Sequence, residues 1–210
     1  MTATLDRTAP SDSSTRPDHR PDHRPGTHVR AMALVSGGVV FAVGNALHPL
    51  RHDAAALEAP TWLASHLVFG VGSLLMAAGL GALTQRMAPS RVATVGLGVL
   101  WLGLVLMPIG SITEGYVSPA MGADYHELET SLLWFSSLAG TSTLLGPLLI
   151  AIGAVTHRLL PLPVALALPG VTVGGLAVGV LPAEGYGIIP GTVVFGLAMA
   201  AAGWRCRRPA

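Results

Sequence analysis

Residues 92–112 read VATVGLGVLWLGLVLMPIGSI, a run without a single charged side chain. As a helix rising about 1.5 Å per residue, this run spans a hydrocarbon core of about 30 Å. Five further apolar stretches accompany it, at 31–50, 62–83, 131–155, 162–181 and 187–204, the last only just long enough to cross. The connections at 51–61, 84–91, 113–130, 156–161 and 182–186 are mostly too short to hold a domain. The sequence therefore predicts an all-α fold, a six-span transmembrane helical bundle over residues 30–205, ending in a short basic segment at 206–210.

Composition agrees with that reading. Of 210 residues, 51% are hydrophobic and only 11% charged, less than half of the roughly 25% typical of a soluble domain. Mean hydropathy is +0.59. These values exclude a nucleic-acid-binding domain, a secreted disulfide scaffold and a soluble Rossmann or barrel enzyme as the main body, and make the lipid bilayer the first partner. Cys206 is the sole cysteine, so no intramolecular disulfide forms. Every basic residue is Arg, and with Ala, Gly and Pro abundant the usage matches a high-GC bacterium.

Residues 1–29 carry the tandem Arg16-Pro17-Asp18-His19 and Arg20-Pro21-Asp22-His23. Such Pro-rich sequence with alternating charge buries no apolar surface and predicts a disordered cytoplasmic tail. Six crossings then separate the arginines. Arg51 alone falls on the side opposite the termini, while Asp53, Glu58, Glu114, Asp124, Glu127, Glu129 and Glu184 all fall on that side. The positive-inside rule places both termini in the cytoplasm of a bacterial inner (plasma) membrane. Trp62, Tyr116, Tyr125 and Tyr186 mark the outer edge, where an aromatic belt is expected.

The polar residues inside the outer helix ends carry the candidate chemistry. Asn45, His48 and His52 stand at i, i+3 and i+7, sharing one helix face, and His66 lies at a similar depth in the next span. Packed as a hairpin, these helices let the His48 and His66 rings meet. Glu114 closes the third span, and Asp124, Tyr125, His126, Glu127 and Glu129 follow in the next loop. Imidazole with carboxylate suits a transition metal, with His48 and His66 as ligands, and two opposed imidazoles suit a haem iron. Glu114 is the candidate catalytic acid, and Asn45, His52, Asp124 and His126 are candidate ligand-binding residues. Two further clusters are open to a structural reading: the hydroxyls Ser136, Ser137, Thr141, Ser142 and Thr143, and the ridges Gly170-x-x-x-Gly174 and Gly175-x-x-x-Gly179, which suit a seam within the chain or a homodimer.

The stretch Gly44-Asn45-Ala46-Leu47-His48-Pro49, with Trp62, Ser65-His66 and Gly79-Leu80-Gly81-Ala82-Leu83, resembles a recurrent pattern in small polytopic membrane proteins of actinobacteria that have no assigned activity. The resemblance implies membrane location and singles out His48 and His66. The expected function is an externally facing His/carboxylate pocket that binds a small ligand, metal or haem. The alternatives are a membrane-embedded enzyme acting on a lipid or isoprenoid, and a small transporter acting as an oligomer. The orientation has a direct check. With Cys206→Ala as background, Glu127→Cys is expected to react with a membrane-impermeant maleimide on intact cells, whereas native Cys206 reacts only after the membrane is opened; the reverse pattern inverts the topology.

Overall fold

The computed structural model describes residues 25–50, 54–178 and 188–207. Among these there is no strand. The helices are α1 (Pro25–Leu47), α2 (Ala54–Leu57), α3 (Trp62–Gly79), α4 (Thr84–Met87), α5 (Arg91–Ile112), α6 (Ser118–Met121), α7 (Tyr125–Ser131), α8 (Leu133–Thr156), α9 (Leu162–Ala167), α10 (Gly170–Val178) and α11 (Ile188–Cys206). A 3-10 turn at Leu80–Leu83 joins α3 to α4, and a π turn at Thr113–Val117 joins α5 to α6. Five helical units are therefore long and apolar enough to cross a membrane: Gly26–Leu47, Trp62–Met87, Arg91–Met121, Leu133–Thr156 and Ile188–Cys206. This architecture fits a membrane-embedded protein.

The stretch expected at 162–181 is a shorter apolar helix over Leu162–Ala177. Pro169 has no N–H for the carbonyl of Ala165, and the helix breaks there into α9 and α10. At the amino end, α1 begins at Pro25, five residues inside the expected tail, whose remainder lies outside the described residues. The connection expected at 113–130 is largely helical: α5 runs on through the π turn into α6, and α7 follows.

The helices pack in a closed ring. α1 lies between α11 and α3, α3 against α5, α5 against α8, and α10 contacts both α8 and α11. Outward faces carry Val39, Leu67, Val71, Val95, Trp101 and Ile109, all exposed. Inward faces combine Leu34, Phe41, Met76, Leu100, Ile150 and Phe195 with small residues. Where the outside is apolar, burial of apolar surface gives little drive to associate, and close backbone approach takes its place.

Glycines seven residues apart make that approach. On the α1–α3 seam Gly37 and Gly44 meet Met76 and Phe69, and Gly72 and Gly79 meet Phe41 and Leu34; on the α5–α8 seam Gly96 and Gly103 meet Ile150 and Thr143, and Gly146 and Gly153 meet Leu100 and Ala93. A Cβ on Gly146 would stand 2.6 Å from the Leu100 backbone nitrogen, and one on Gly103 2.7 Å from that of Thr143. Gly170 meets the Gly191 carbonyl on α11, Gly174 is buried against the same glycine, and Gly175 faces Leu144 on α8. These three ridge glycines thus find partners inside this chain; Gly179 lies outside the described residues. The side chain of Thr172 adds an interhelical bond to the Leu144 carbonyl, at 2.6 Å.

The seams predict a contrast on neighbouring helices. Gly146→Ala, which drives a methyl into backbone, is expected to cost about 1–3 kcal/mol. Gly98→Ala, where nothing lies within 4 Å, is expected to be neutral or stabilising by up to about 1 kcal/mol. Thermal unfolding in one detergent compares the two.

Candidate functional site

The end of the bundle opposite Pro25 and Cys206 is organised by a break in helical register. Pro119 cannot donate to the carbonyl of Gly115, so a regular α-helix cannot run through it. The backbone widens instead: the Ser118 N–H donates to the Thr113 carbonyl five residues back. This releases the carbonyl of Glu114, which Ser118 would otherwise have bonded. The indole Nε1–H of Trp62 donates to that carbonyl at 3.0 Å. π turns of this kind recur at functional sites.

Trp62 starts α3 and is 2% exposed, so it belongs to the interior and not to the aromatic belt. Its own carbonyl, one turn below, accepts Ser65 Oγ–H at 2.7 Å and His66 Nδ1–H at 2.8 Å. His66 is 1% exposed, and its second nitrogen, Nε2, lies 3.3 Å from Glu114 Oε2. The carboxylate is 45% exposed, so the pair has one buried and one accessible member. Gly115 allows the π turn to sit on the imidazole, since a Cβ there would stand 2.6 Å from His66 Cβ. The His48 ring packs against His66 with centroids 4.9 Å apart and against Trp62 at 5.1 Å. Its Nδ1–H donates to the Pro49 carbonyl at 2.7 Å. Phe69 closes the cluster, 5.2 Å from His66.

Glu114 also forms part of the wall of a half-open cavity, or chamber, of about 320 Å³ between the helices. Phe69 of α3, Leu106, Met107 and Ser111 of α5, Phe135, Ser136, Ala139 and Thr143 of α8, Val171 of α10 and Thr192 of α11 line it. The walls are mainly apolar, with hydroxyls spaced among them. Thr143 Oγ1–H and Thr192 Oγ–H donate to carbonyls of their own helices, Ala139 and Ile189. From the hydroxyl cluster, Ser136 and Thr143 reach the chamber, Ser142 is buried, and Ser137 and Thr141 are exposed.

The candidate residues are thus divided. The structure brings His48, His66 and Glu114 together. Asn45 is buried one turn below and donates to the Phe41 carbonyl at 2.9 Å. Asp124 and His126 are exposed, and His126 faces Glu129 at 3.6 Å across one turn of α7. His52 lies outside the described residues. No group of three or more His, Cys, Asp or Glu placed to hold a metal ion occurs among the described residues. Two imidazoles on opposite faces of a haem iron, with metal–nitrogen distances near 2 Å, would hold their centroids about 6 Å apart; the rings of His48 and His66 are 4.9 Å apart. The sequence reading missed Trp62 and Gly115 as members of the site. Pro119, four residues after Gly115 on an apolar helix, was the available signal.

Comparison with known proteins is silent: no protein-family model, no curated protein and no solved structure matches the chain.

Tyr125, at the start of α7, reports on the charge here. Burial first, then the carboxylates of Glu114 and Glu129, push its phenol up to about 12. Each disfavours the phenolate. The folded protein therefore holds this proton after the unfolded chain would release it near pH 10, and the phenol's contribution to stability is lost as pH rises from about 10 to about 12. An ultraviolet titration is expected to show one tyrosinate appearing near pH 12, moved to lower pH by Glu114→Gln.

Proposed function

We propose that this chain is a six-span protein of the bacterial plasma membrane, with both termini cytoplasmic. Its externally facing chamber binds a small, largely apolar molecule whose polar end meets Glu114. One observation carries the reading: among the described residues, a mainly apolar cavity has one carboxylate in its wall, and a buried imidazole contacts that carboxylate. Ionisable groups in such surroundings are costly to keep, which points to use. The topology is supported by α9 and α10, which pack between α8 and α11 where a sixth crossing belongs. It is further supported by the separation of Arg30, Arg86 and Cys206, which gather at one end, from the His48–Trp62–Glu114 cluster. Metal or haem at His48 and His66 is the less favoured form, because both nitrogens of His66 are already engaged.

A second reading shares the site. Glu114 faces the chamber while hydrogen-bonded to an imidazole, the arrangement a general acid needs to protonate a lipid or isoprenoid substrate. It calls for a changed lipid extract in cells carrying the protein and loss of that change in Glu114→Gln.

Binding itself is tested with N-phenyl-1-naphthylamine, a neutral aromatic fluorophore of chamber size, on protein in lipid nanodiscs. Saturable fluorescence above that of empty discs is expected, weakened at least about tenfold by Ala139→Trp, which fills the chamber, and unchanged by Glu114→Gln. Equal signals from wild type, Ala139→Trp and empty discs would overturn the reading.

A further inference from the structure

The end of the bundle away from the His66–Glu114 pair carries a charge of its own. Arg30, Arg86, Arg91, Arg158, Arg205 and Arg207 gather there, where α1 and α5 begin and α8 and α11 end. The described acids, Glu58, Glu114, Asp124, Glu127 and Glu129, all belong to the other end. Residues 1–24, outside the described residues, hold four Asp and four Arg and so add no net charge from those side chains.

An open groove of about 490 Å³ lies on the outward face of this end. Ala77 and Ala78 of α3 form its back, Gly98 and Trp101 of α5 one side, and Arg30 of α1 the other, with Gly81 and Thr84 at the mouth. Arg30 is held in place. Its carbonyl packs so closely on α3 that a Cβ at Gly79 would stand 2.7 Å away, and its guanidinium lies over Gly81, where a Cβ would stand 3.4 Å from a terminal nitrogen. Among the described residues neither this guanidinium nor the Thr84 hydroxyl has a hydrogen-bond or ion-pair partner. Deeper in, a Cβ on Gly98 would meet nothing within 4 Å, and the Trp101 side chain is half-exposed, so no protein group fills that part.

Depth distinguishes the occupants. Trp101 is ten residues from Arg91, where α5 begins, and Ala77 ten from Met87, where the second crossing unit ends. At about 1.5 Å per residue both lie about 15 Å in, half of a hydrocarbon core. The groove thus joins an ionic mouth to an apolar interior over the thickness of one leaflet. A soluble anion would use only the mouth, and an apolar molecule only the interior. A phospholipid uses both: the guanidinium fork suits phosphate oxygens, and the chain lies along Ala77 and Gly98 beside the indole. A zwitterionic headgroup brings the same phosphate, but its ammonium meets arginines and no described acid, so the charge favours an anionic one.

We propose that this groove is a binding site for one anionic phospholipid of the adjoining leaflet, its phosphate on Arg30 and Thr84 and one chain against Trp101. The proposal rests on the membrane reading of the fold and is independent of the chamber.

The full chain in detergent is titrated separately with dimyristoyl phosphatidylglycerol and dimyristoyl phosphatidylcholine, and bound lipids are counted by native mass spectrometry. The first phosphatidylglycerol is expected to bind at least about tenfold more tightly than the first phosphatidylcholine. Arg30→Gln should abolish that preference. Gly98→Leu, which fills the groove from an open position, should weaken the first phosphatidylglycerol at least about tenfold. Arg91→Gln, which removes the same charge from the same end but outside the groove lining, should retain most of the preference. Equal affinity of wild type for the two lipids overturns the proposal. So does a loss in Arg91→Gln as complete as in Arg30→Gln, or undiminished binding in Gly98→Leu. Displacement of the lipid by an equal concentration of glycerophosphoglycerol overturns it too, by giving the site to soluble phosphate esters. The wild-type comparison and either groove variant decide if the other variant does not fold, and none of these results touches fluorophore binding in the chamber.

Discussion

Everything in this molecule depends on how closely helix backbones can approach without a hydrophobic drive to bring them together. With Leu, Val and Ile turned outward, cohesion falls to van der Waals contact and to interhelical hydrogen bonds such as Thr172 to Leu144. The seven-residue spacing of glycines on α1, α3, α5 and α8 places small residues on every second turn of the facing surfaces. Two hairpins result, each zipped along its length. The ring of helices follows from setting these hairpins side by side and closing them with α10 and α11. A ring so closed has a centre, and the cavity forms toward the end that carries Glu114.

Polar chemistry is then confined to one end by the same economy. In the tightly zipped region there is no room for a large polar side chain, and hydroxyls satisfy themselves on carbonyls of their own helices, as Ser73 does on Gly70 and Thr143 on Ala139. Toward the end opposite Pro25 and Cys206 the chain carries Trp62, His66 and Glu114, which bond one another across two elements. The knot couples an indole donor to a backbone carbonyl, an imidazole to a second carbonyl, and that imidazole to a carboxylate. Few alternative arrangements would leave none of these buried groups without a partner.

Much of this was legible in the sequence. Apolar runs announced the five crossing-length helices, while a sixth run at 162–181 is a shorter helix, and the similar depth of His48 and His66 in adjacent helices let their rings meet once those helices packed as a hairpin. Glu114 stood out for its position on an apolar helix. The course of residues 113–130 was not legible as helix, because glycines, acids and Pro119 there resemble loop composition, while the helix persists by changing its hydrogen-bond register. Trp62 was misread as an interfacial residue because amphipathic tryptophan usually belongs there; the released carbonyl that draws it inward is invisible before the π turn is known. The glycine ridges of the fifth stretch attracted attention through their four-residue spacing, yet the longer seams use sevens, a period that a search for adjacent small residues passes over. The sequence marked Glu114, Ser136 and Thr143 but not the cavity they share, since its lining comes from five helices distant along the chain.

The π turn at Thr113–Val117 gives the site a dependence on chain length. Each residue turns an α-helix by about 100°, so the widened turn sets the direction of α6 and of the chain leading to Tyr125. External connections usually absorb an added or lost residue at little cost. Here a single deletion between Glu114 and Pro119 would rotate α6 and the chain leading to Tyr125 by about 100° about the helix axis, taking Tyr125 away from Glu114, although every side chain of the site remained in the chain. The spacing of these residues is thus as much a part of the site as their identity, and a segment that looks like a tolerant loop behaves as a gauge.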